Sequence, residues 1–244
     1  MNRINLKVLV IDPDFYAQRA LNSYMAWDRR TRVVALSDNF DHAYEALDEL
    51  PHVEYPDVVF LDPDAPEDSA ALERAIRRLR QLVPHVEIYC LAHTANVGRI
   101  TAAYQSQARG YFMRNEVRLL LVNAVLFARE KSFVVTASLK QPIFQSALWY
   151  SAAVALPRPR EYPEMTDRIR QALWLCVVEG MPAQLAADEM GISPHTIRSY
   201  VKEGYRILEA YDDQQYPEDM SPLERAFMRF TALSDDSDPQ SDEA

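Results

Sequence analysis

The run Asp57-Val58-Val59-Phe60-Leu61-Asp62, followed by Pro63-Asp64-Ala65-Pro66, decides the fold. Four consecutive apolar residues suit a strand covered on both faces, and an aspartate closing such a strand stands where open α/β sheets place their chemistry. Comparable apolar runs recur at 6–11, 31–36, 86–91 and 110–113, with helical stretches near 14–27, 39–50, 67–82, 95–108 and 115–130. The third helical stretch sets Leu72, Ile76, Leu79 and Val83 at helical spacing over a solvated basic face of Arg74, Arg77, Arg78 and Arg80. Five strands alternating with five helices predict an α/β doubly wound parallel five-stranded sheet.

The net charge of −10 is unevenly spread: −2 over residues 1–135, +2 over 136–162, −2 over 163–211 and −8 over 212–244. Most of the acidic excess therefore lies in the carboxyl-terminal tail. No apolar run approaches the roughly 20 residues that span a bilayer, and Met1-Asn2-Arg3-Ile4-Asn5 leads into a strand without a secretory apolar core. A soluble, cytoplasmic protein without membrane contact is expected. Cys90 and Cys176 fall in separate apolar stretches of different domains, which predicts buried free thiols in place of a disulfide or metal site. The sequence lacks a Gly-rich phosphate loop and a nucleophile-base spacing, and His42, His52, His85, His93 and His195 are scattered, which argues against an enzyme.

The order Val8-Leu9-Val10-Ile11-Asp12, then Val58 to Asp62 with Pro66 four residues on, then Ala108-Arg109-Gly110-Tyr111, resembles the receiver domain of bacterial two-component response regulators over residues 5–130. The resemblance implies that Asp62 is the phosphoacceptor. It also implies an acidic pair for Mg²⁺, a Thr or Ser ending the fourth strand, a Lys ending the fifth and an aromatic switch residue. Phosphoryl transfer to a carboxylate accumulates negative charge, so a hard cation and a fixed ammonium are needed to offset it. Here Asp12 fills one acidic position while Pro13 occupies the other, Ala92 replaces the hydroxyl residue, and Arg114 replaces the Lys; Tyr111 keeps the aromatic position. A guanidinium is a wider planar fork than an ammonium. These departures predict a degenerate receiver that requires no cofactor. The alternative is a rearranged pocket in which Asp14 or Asp64 joins Asp12 and Asp62 as a Mg²⁺ ligand. Asp14 reads better as a helix N-cap, and Asp64 reads equally well as a loop carboxylate.

Residues 136–163, punctuated by Pro142, Pro157, Pro159 and Pro163, are expected to link a receiver-like domain at 1–135 to a second domain at 164–212. Residues 132–136 could add a strand, and 143–150 could form a short helix packed on a domain or on a second subunit. In the second domain, Ile169, Leu173, Cys176 and Val177 mark one helix, Pro182 to Met190 the next, and Gly191 a turn into a third helix capped by Ser193. The order Met165-Thr166, Glu179-Gly180-Met181, Ala187, Met190-Gly191-Ile192-Ser193, Thr196-Ile197 resembles the LuxR-type helix-turn-helix of the NarL/FixJ class, although sigma-factor region four shares much of the pattern. One extra residue stands in the first helix relative to the usual spacing. Gly204 within the third helix is unusual, reading either as a close helix approach or as a weak point facing solvent.

The resemblance implies that His195, Thr196, Arg198, Ser199, Lys202 and Arg206 face double-stranded DNA. An all-α helix-turn-helix domain of near-neutral charge needs a homodimer or another partner to supply enough phosphate contacts. The expected function is a transcription regulator whose receiver controls dimerisation, with a sensor kinase or regulatory protein as a further partner. The alternatives are a phosphorylation-dependent regulator and a signalling adaptor whose helix-turn-helix binds protein. Over residues 213–244, Ser221 to Phe230 predicts a capped short helix with Leu223, Phe227 and Phe230 on one side, and the Ser/Asp-rich end is expected to be disordered and to compete with DNA for the basic face.

Overall fold

The computed structural model describes residues 5–212, 216, 217 and 219–234. The chain divides into two compact units, Met1–Arg158 and Pro159–Ala244. The first contains β1 (Leu6–Ile11), α1 (Phe15–Trp27), β2 (Thr31–Ser37), α2 (Phe40–Glu49), β3 (Val58–Leu61), α3 (Ser69–Leu82), β4 (Glu87–Ala92), α4 (Val97–Gln105), β5 (Gly110–Met113), α5 (Arg114–Val117), α6 (Leu121–Ala128), β6 (Phe133–Val135) and β7 (Ala153–Ala155). All neighbouring strands pair in parallel, in the order β2-β1-β3-β4-β5-β6-β7. Asp12 accepts the Asp14 N–H in the turn after β1, and Asp14, Asn39, Asp68 and Asn96 each cap the helix that follows them, which explains the sharp strand-to-helix turns.

The sheet has seven strands, not the expected five. Gly110 pairs with Val134 and Tyr111 with Val135, and the buried Thr136 hydroxyl accepts the Met113 N–H at 3.1 Å. β7 then pairs with β6 along its whole length. Among the prolines that suggested a linker, Pro142 opens a short 3₁₀ turn instead of interrupting a helix, and Pro159 lies in an isolated antiparallel bridge. Lys140 Nζ donates to the carbonyls of Tyr150 and Ala153 at 2.8 and 3.0 Å, and Tyr150 Oη donates back to the Lys140 carbonyl at 2.7 Å. Trp149 is fully buried in the main core. The stretch 136–163 therefore divides, with its larger part built into the sheet of the first unit. The helix expected over 115–130 is broken at Arg118, whose φ of 39° lies in the left-handed region that interrupts a right-handed helix.

The second unit is formed by α7 (Asp167–Leu173), a π-helical turn at Trp174–Val178, α8 (Ala183–Met190), α9 (Pro194–Ala210) and α10 (Pro222–Phe230). A π turn is the way a helix absorbs one inserted residue without unwinding, and it accounts for the extra residue counted in this segment. Glu179 N–H donates back five residues to the Trp174 carbonyl at 3.0 Å. Gly191, at φ 64°, ends α8 in the left-handed conformation, and the Ser193 hydroxyl caps α9 by accepting the Thr196 N–H. A reciprocal Ser221–Glu224 capping box starts α10, whose Phe227 is buried. Entry and exit of this unit are joined: Pro159 forms an antiparallel bridge with Leu233, and Arg160 N–H donates to the Ala232 carbonyl at 2.8 Å.

Gly204 is buried, and a Cβ placed there would meet the Leu173 Cδ1 and Cγ atoms at 2.7 Å. The glycine is thus a close-approach point between α7 and α9, and the solvent-facing reading is discarded. Gly204→Ala ordinarily gains about 1 kcal/mol of helix propensity. Here overpacking against fully buried Leu173 reverses the sign, and thermal denaturation is expected to show a net loss of roughly 1 kcal/mol or more. A stabilised variant would show that α7 and α9 have room to separate.

Candidate functional sites: the strand-end carboxylates and the outer face of α9

The order β2-β1-β3 reverses direction at β1, and the crevice outside the carboxyl ends of β1 and β3 is the switch point where such sheets carry ligands. Asp12 and Asp62 stand there, with side chains 2% and 8% exposed. Each uses one carboxylate oxygen for a tight turn: Asp12 Oδ1 accepts the Asp14 N–H at 2.9 Å, and Asp62 Oδ1 accepts the Asp64 N–H at 2.8 Å. The other oxygen of each faces the same guanidinium. Arg114 Nη2 lies 2.6 Å from Asp12 Oδ2 and 3.4 Å from Asp62 Oδ2, and Arg114 Nε donates to the Leu91 carbonyl at 2.8 Å. The Nη2 contacts are ion pairs without the alignment of a directed hydrogen bond.

Arg114 therefore reaches from the end of β5 past the end of β4 to the two aspartates. Ala92 ends β4 with only a methyl group, so no hydroxyl stands at this position. Asp64 takes no part in the cluster. Its carboxylate lies 3.4 Å from Arg99 Nε, and Arg99 also donates to the carbonyls of Pro63, Pro66 (3.0 Å) and Glu67 (3.5 Å), fastening the β3–α3 loop. Asp14 accepts from Tyr16 and Ala17 N–H as the N-cap of α1. The trio Asp12, Asp62 and Asp64 considered as Mg²⁺ ligands is thus not assembled. Among the described residues, no three His, Cys, Asp or Glu side chains come together to hold a metal ion. A hard divalent cation needs several oxygen ligands and space for its waters, whereas a guanidinium already holds this position. The residues present do not fit Mg²⁺.

Burial pushes the Asp62 carboxyl above its ordinary range; the Asp64 N–H and Arg114 work against that shift, and the Asp12 and Asp64 charges add to it. Tyr111 is fully buried with its Oη unpartnered, and burial pushes its phenol upward. Cys90 is buried and Cys176 half-buried, both as free thiols. Arg99 is the participant that sequence reasoning missed, since an arginine in the first turn of a helix carries no signal that it grips a distant loop.

In the second unit the apolar side of α9 seats fully buried Ile197, Ile207 and Leu208. His195, Arg198, Ser199, Lys202 and Arg206 are exposed on the other side, and Thr196 is half-buried. They differ in availability. Thr196 and Ser193 hydroxyls pair at 2.8 Å within the cap, and Ser199 Oγ donates back to the His195 carbonyl at 3.1 Å. Arg206 Nη2 lies 2.8 Å from Glu203 and 3.4 Å from Glu164. Arg198 and Lys202 have no ion-pair partner among the described residues, leaving two unneutralised cations one helical turn apart. Among the described residues, no helix is long and apolar enough to cross a membrane.

No family model and no curated protein matches the sequence. Among solved structures, the RcsB response regulator of Salmonella typhimurium superposes with a TM-score of 0.50 at 16% identity, over 86% of this chain and 94% of that one. An RcsB chain from a structure of two RcsB dimers bound to two parallel DNAs also gives 0.50, at 17% identity over 82% and 89%. The chain shares its fold with these RcsB structures. Within that fold, the additional strands β6 and β7 extend the sheet, and the strand-end carboxylates are paired to an arginine.

A carboxyl raised above its unfolded value makes the native state bind more protons than the unfolded chain, so Asp62 lowers stability as pH rises through that window. Asp62→Asn is expected to raise the chemical-denaturation midpoint at pH 7 and to leave it unchanged near pH 3, where both side chains are neutral. A loss at pH 7 would mean that the contact with Arg114 outweighs the burial of the charge.

Proposed function

We propose that this chain is a DNA-binding transcription regulator whose degenerate receiver controls dimerisation without aspartyl phosphorylation. The reading is carried by the Arg114 guanidinium lying between Asp12 and Asp62. Transfer to Asp62 would require one of its oxygens as nucleophile, yet one is bound to the Asp64 N–H and the other faces Arg114. The developing charge on a phosphoryl group would meet neither a metal ion nor a hydroxyl at Ala92. The pocket then serves as a fixed internal counter-ion cluster, and the input comes through a ligand, a protein contact or constitutive pairing.

The reading surface is the outer face of α9, with Arg198 and Lys202 supplying phosphate or base-edge contacts and His195 adding to the first turn. Two free cations on α9 give little affinity, so two copies are needed on one duplex. The RcsB chain with the same fold is described as dimers bound to DNA, which supports this reading. Genomic fragments captured by the full chain provide the test. Arg198→Ala and Lys202→Ala are each expected to weaken binding by about 1–3 kcal/mol, read by fluorescence anisotropy. The salt slope should also fall by about one for a lost phosphate contact. Undiminished binding in both variants would move the interface off α9.

A further inference from the structure

Among the described residues, Pro157 and Arg158 alone stand between the last backbone bond of the sheet and the first of the second unit. On the sheet side, Leu156 is buried and its N–H donates to the Val135 carbonyl at 2.7 Å, directly after β7. On the other side, Pro159 is bridged to Leu233, and the Arg160 N–H donates to the Ala232 carbonyl at 2.8 Å. The same arginine reaches α9: its Nη1 donates at 3.0 Å to the carbonyl of Tyr211, the residue that ends that helix. Tyr162 Oη donates to the Arg229 carbonyl in α10 at 2.6 Å. The segment expected to link the domains, residues 136–163, is thereby reduced to a two-residue joint.

The sequence of this joint makes it stiff. Pro157 and Pro159 each hold their own φ at about −65°. Leu156 and Arg158 each precede a proline, which keeps them in the extended region. The nearest glycines are Gly110 and Gly180, so no residue of free backbone adjoins the joint. Such a connection is a semi-rigid spacer of about 3 Å per residue, not a flexible coil. We infer that the joint sets the separation of the two α9 helices in a dimer, so that the chain selects DNA half-sites at one spacing. The inference rests on the reading of the chain as a dimer that presents α9 to DNA. A flexible tether lets each copy of α9 find its half-site independently. A stiff one gains the second contact only where the duplex matches the spacing that the protein imposes. The Arg160 contact carries that constraint to the carboxyl end of α9.

Duplexes enriched by the full chain from a randomised pool supply the probe, and their half-sites are then moved apart in single base-pair steps. The parent is expected to lose about a hundredfold in affinity when the separation changes by half a helical turn, about five base pairs. Inserting Gly-Ser-Gly-Ser-Gly-Ser between Pro157 and Arg158 should hold affinity within about threefold across the series, with binding to a single half-site unchanged. Equal dependence on spacing in the parent and the insertion variant overturns the inference and leaves the DNA reading of α9 standing. If no duplex is enriched, the DNA reading falls and the inference with it. A measurement without DNA reads the stiffness directly. Nitroxides are placed at Ser23→Cys on α1 and Gln184→Cys on α8, both exposed positions, in a Cys176→Ala background that leaves only the buried Cys90. With labelled chain diluted into unlabelled chain, the parent joint should give a narrow distance distribution that the insertion broadens severalfold. A broad distribution with the parent joint overturns the inference, even where the insertion variant fails to fold.

Discussion

The Arg114 guanidinium, set between two nearly inaccessible carboxylates, is the interaction on which the reading of the first unit depends. Asp12 and Asp62 end adjacent parallel strands, so the fold itself brings their charges together. Two such carboxylates repel each other and resist dehydration, and some cation has to accompany them. Here that cation is covalently part of the chain. Arg114 is anchored through Nε to the Leu91 carbonyl, which fixes the direction of its fork. Its strand position follows from β5, and the methyl of Ala92 leaves the route past β4 unobstructed by a longer side chain. The three contacts of Arg114, to Asp12, Asp62 and the Leu91 carbonyl, hold the carboxyl ends of β1, β3 and β4 together.

The second unit shows a comparable economy. A π turn takes up one surplus residue in its first helix, and a glycine in α9 lets Leu173 approach where a Cβ would collide. Both features keep α9 seated on its neighbours while its outer face stays open. The close packing of α7 on α9 and the joining of Pro159 to Leu233 make this unit self-contained, so that the exposed side of α9 is presented by a rigid support.

Much of this could be read from the residues. The first five strands announce themselves because each is a continuous apolar run, and the caps at Asp14, Ser193 and Ser221 have the side-chain chemistry that starts a helix. β6 and β7 were harder to read because each has three residues, too few to establish a period, and prolines closely follow the second. The apolar stretch 143–150 read equally as core packing or as a contact with a second subunit, and the burial of Trp149 in the sheet unit's core selects the first. At the candidate site, the identities of Asp12, Asp62, Ala92, Tyr111 and Arg114 were legible, whereas the pairing geometry was not. Whether Asp64 joins a metal cluster depends on Arg99, thirty-five residues away in sequence, and only the folded loop brings the two within ion-pair distance. The alternatives for Gly204 likewise required the position of Leu173.

The central claim is that the chain's own arginine has taken the place of the metal and the phosphoryl group at the switch point. Incubating the full chain with a small-molecule phosphodonor and Mg²⁺, alongside Asp62→Ala, and measuring intact mass tests it most directly. The account predicts no phosphoryl adduct in either protein. A stable adduct on the parent chain that Asp62→Ala abolishes would contradict it.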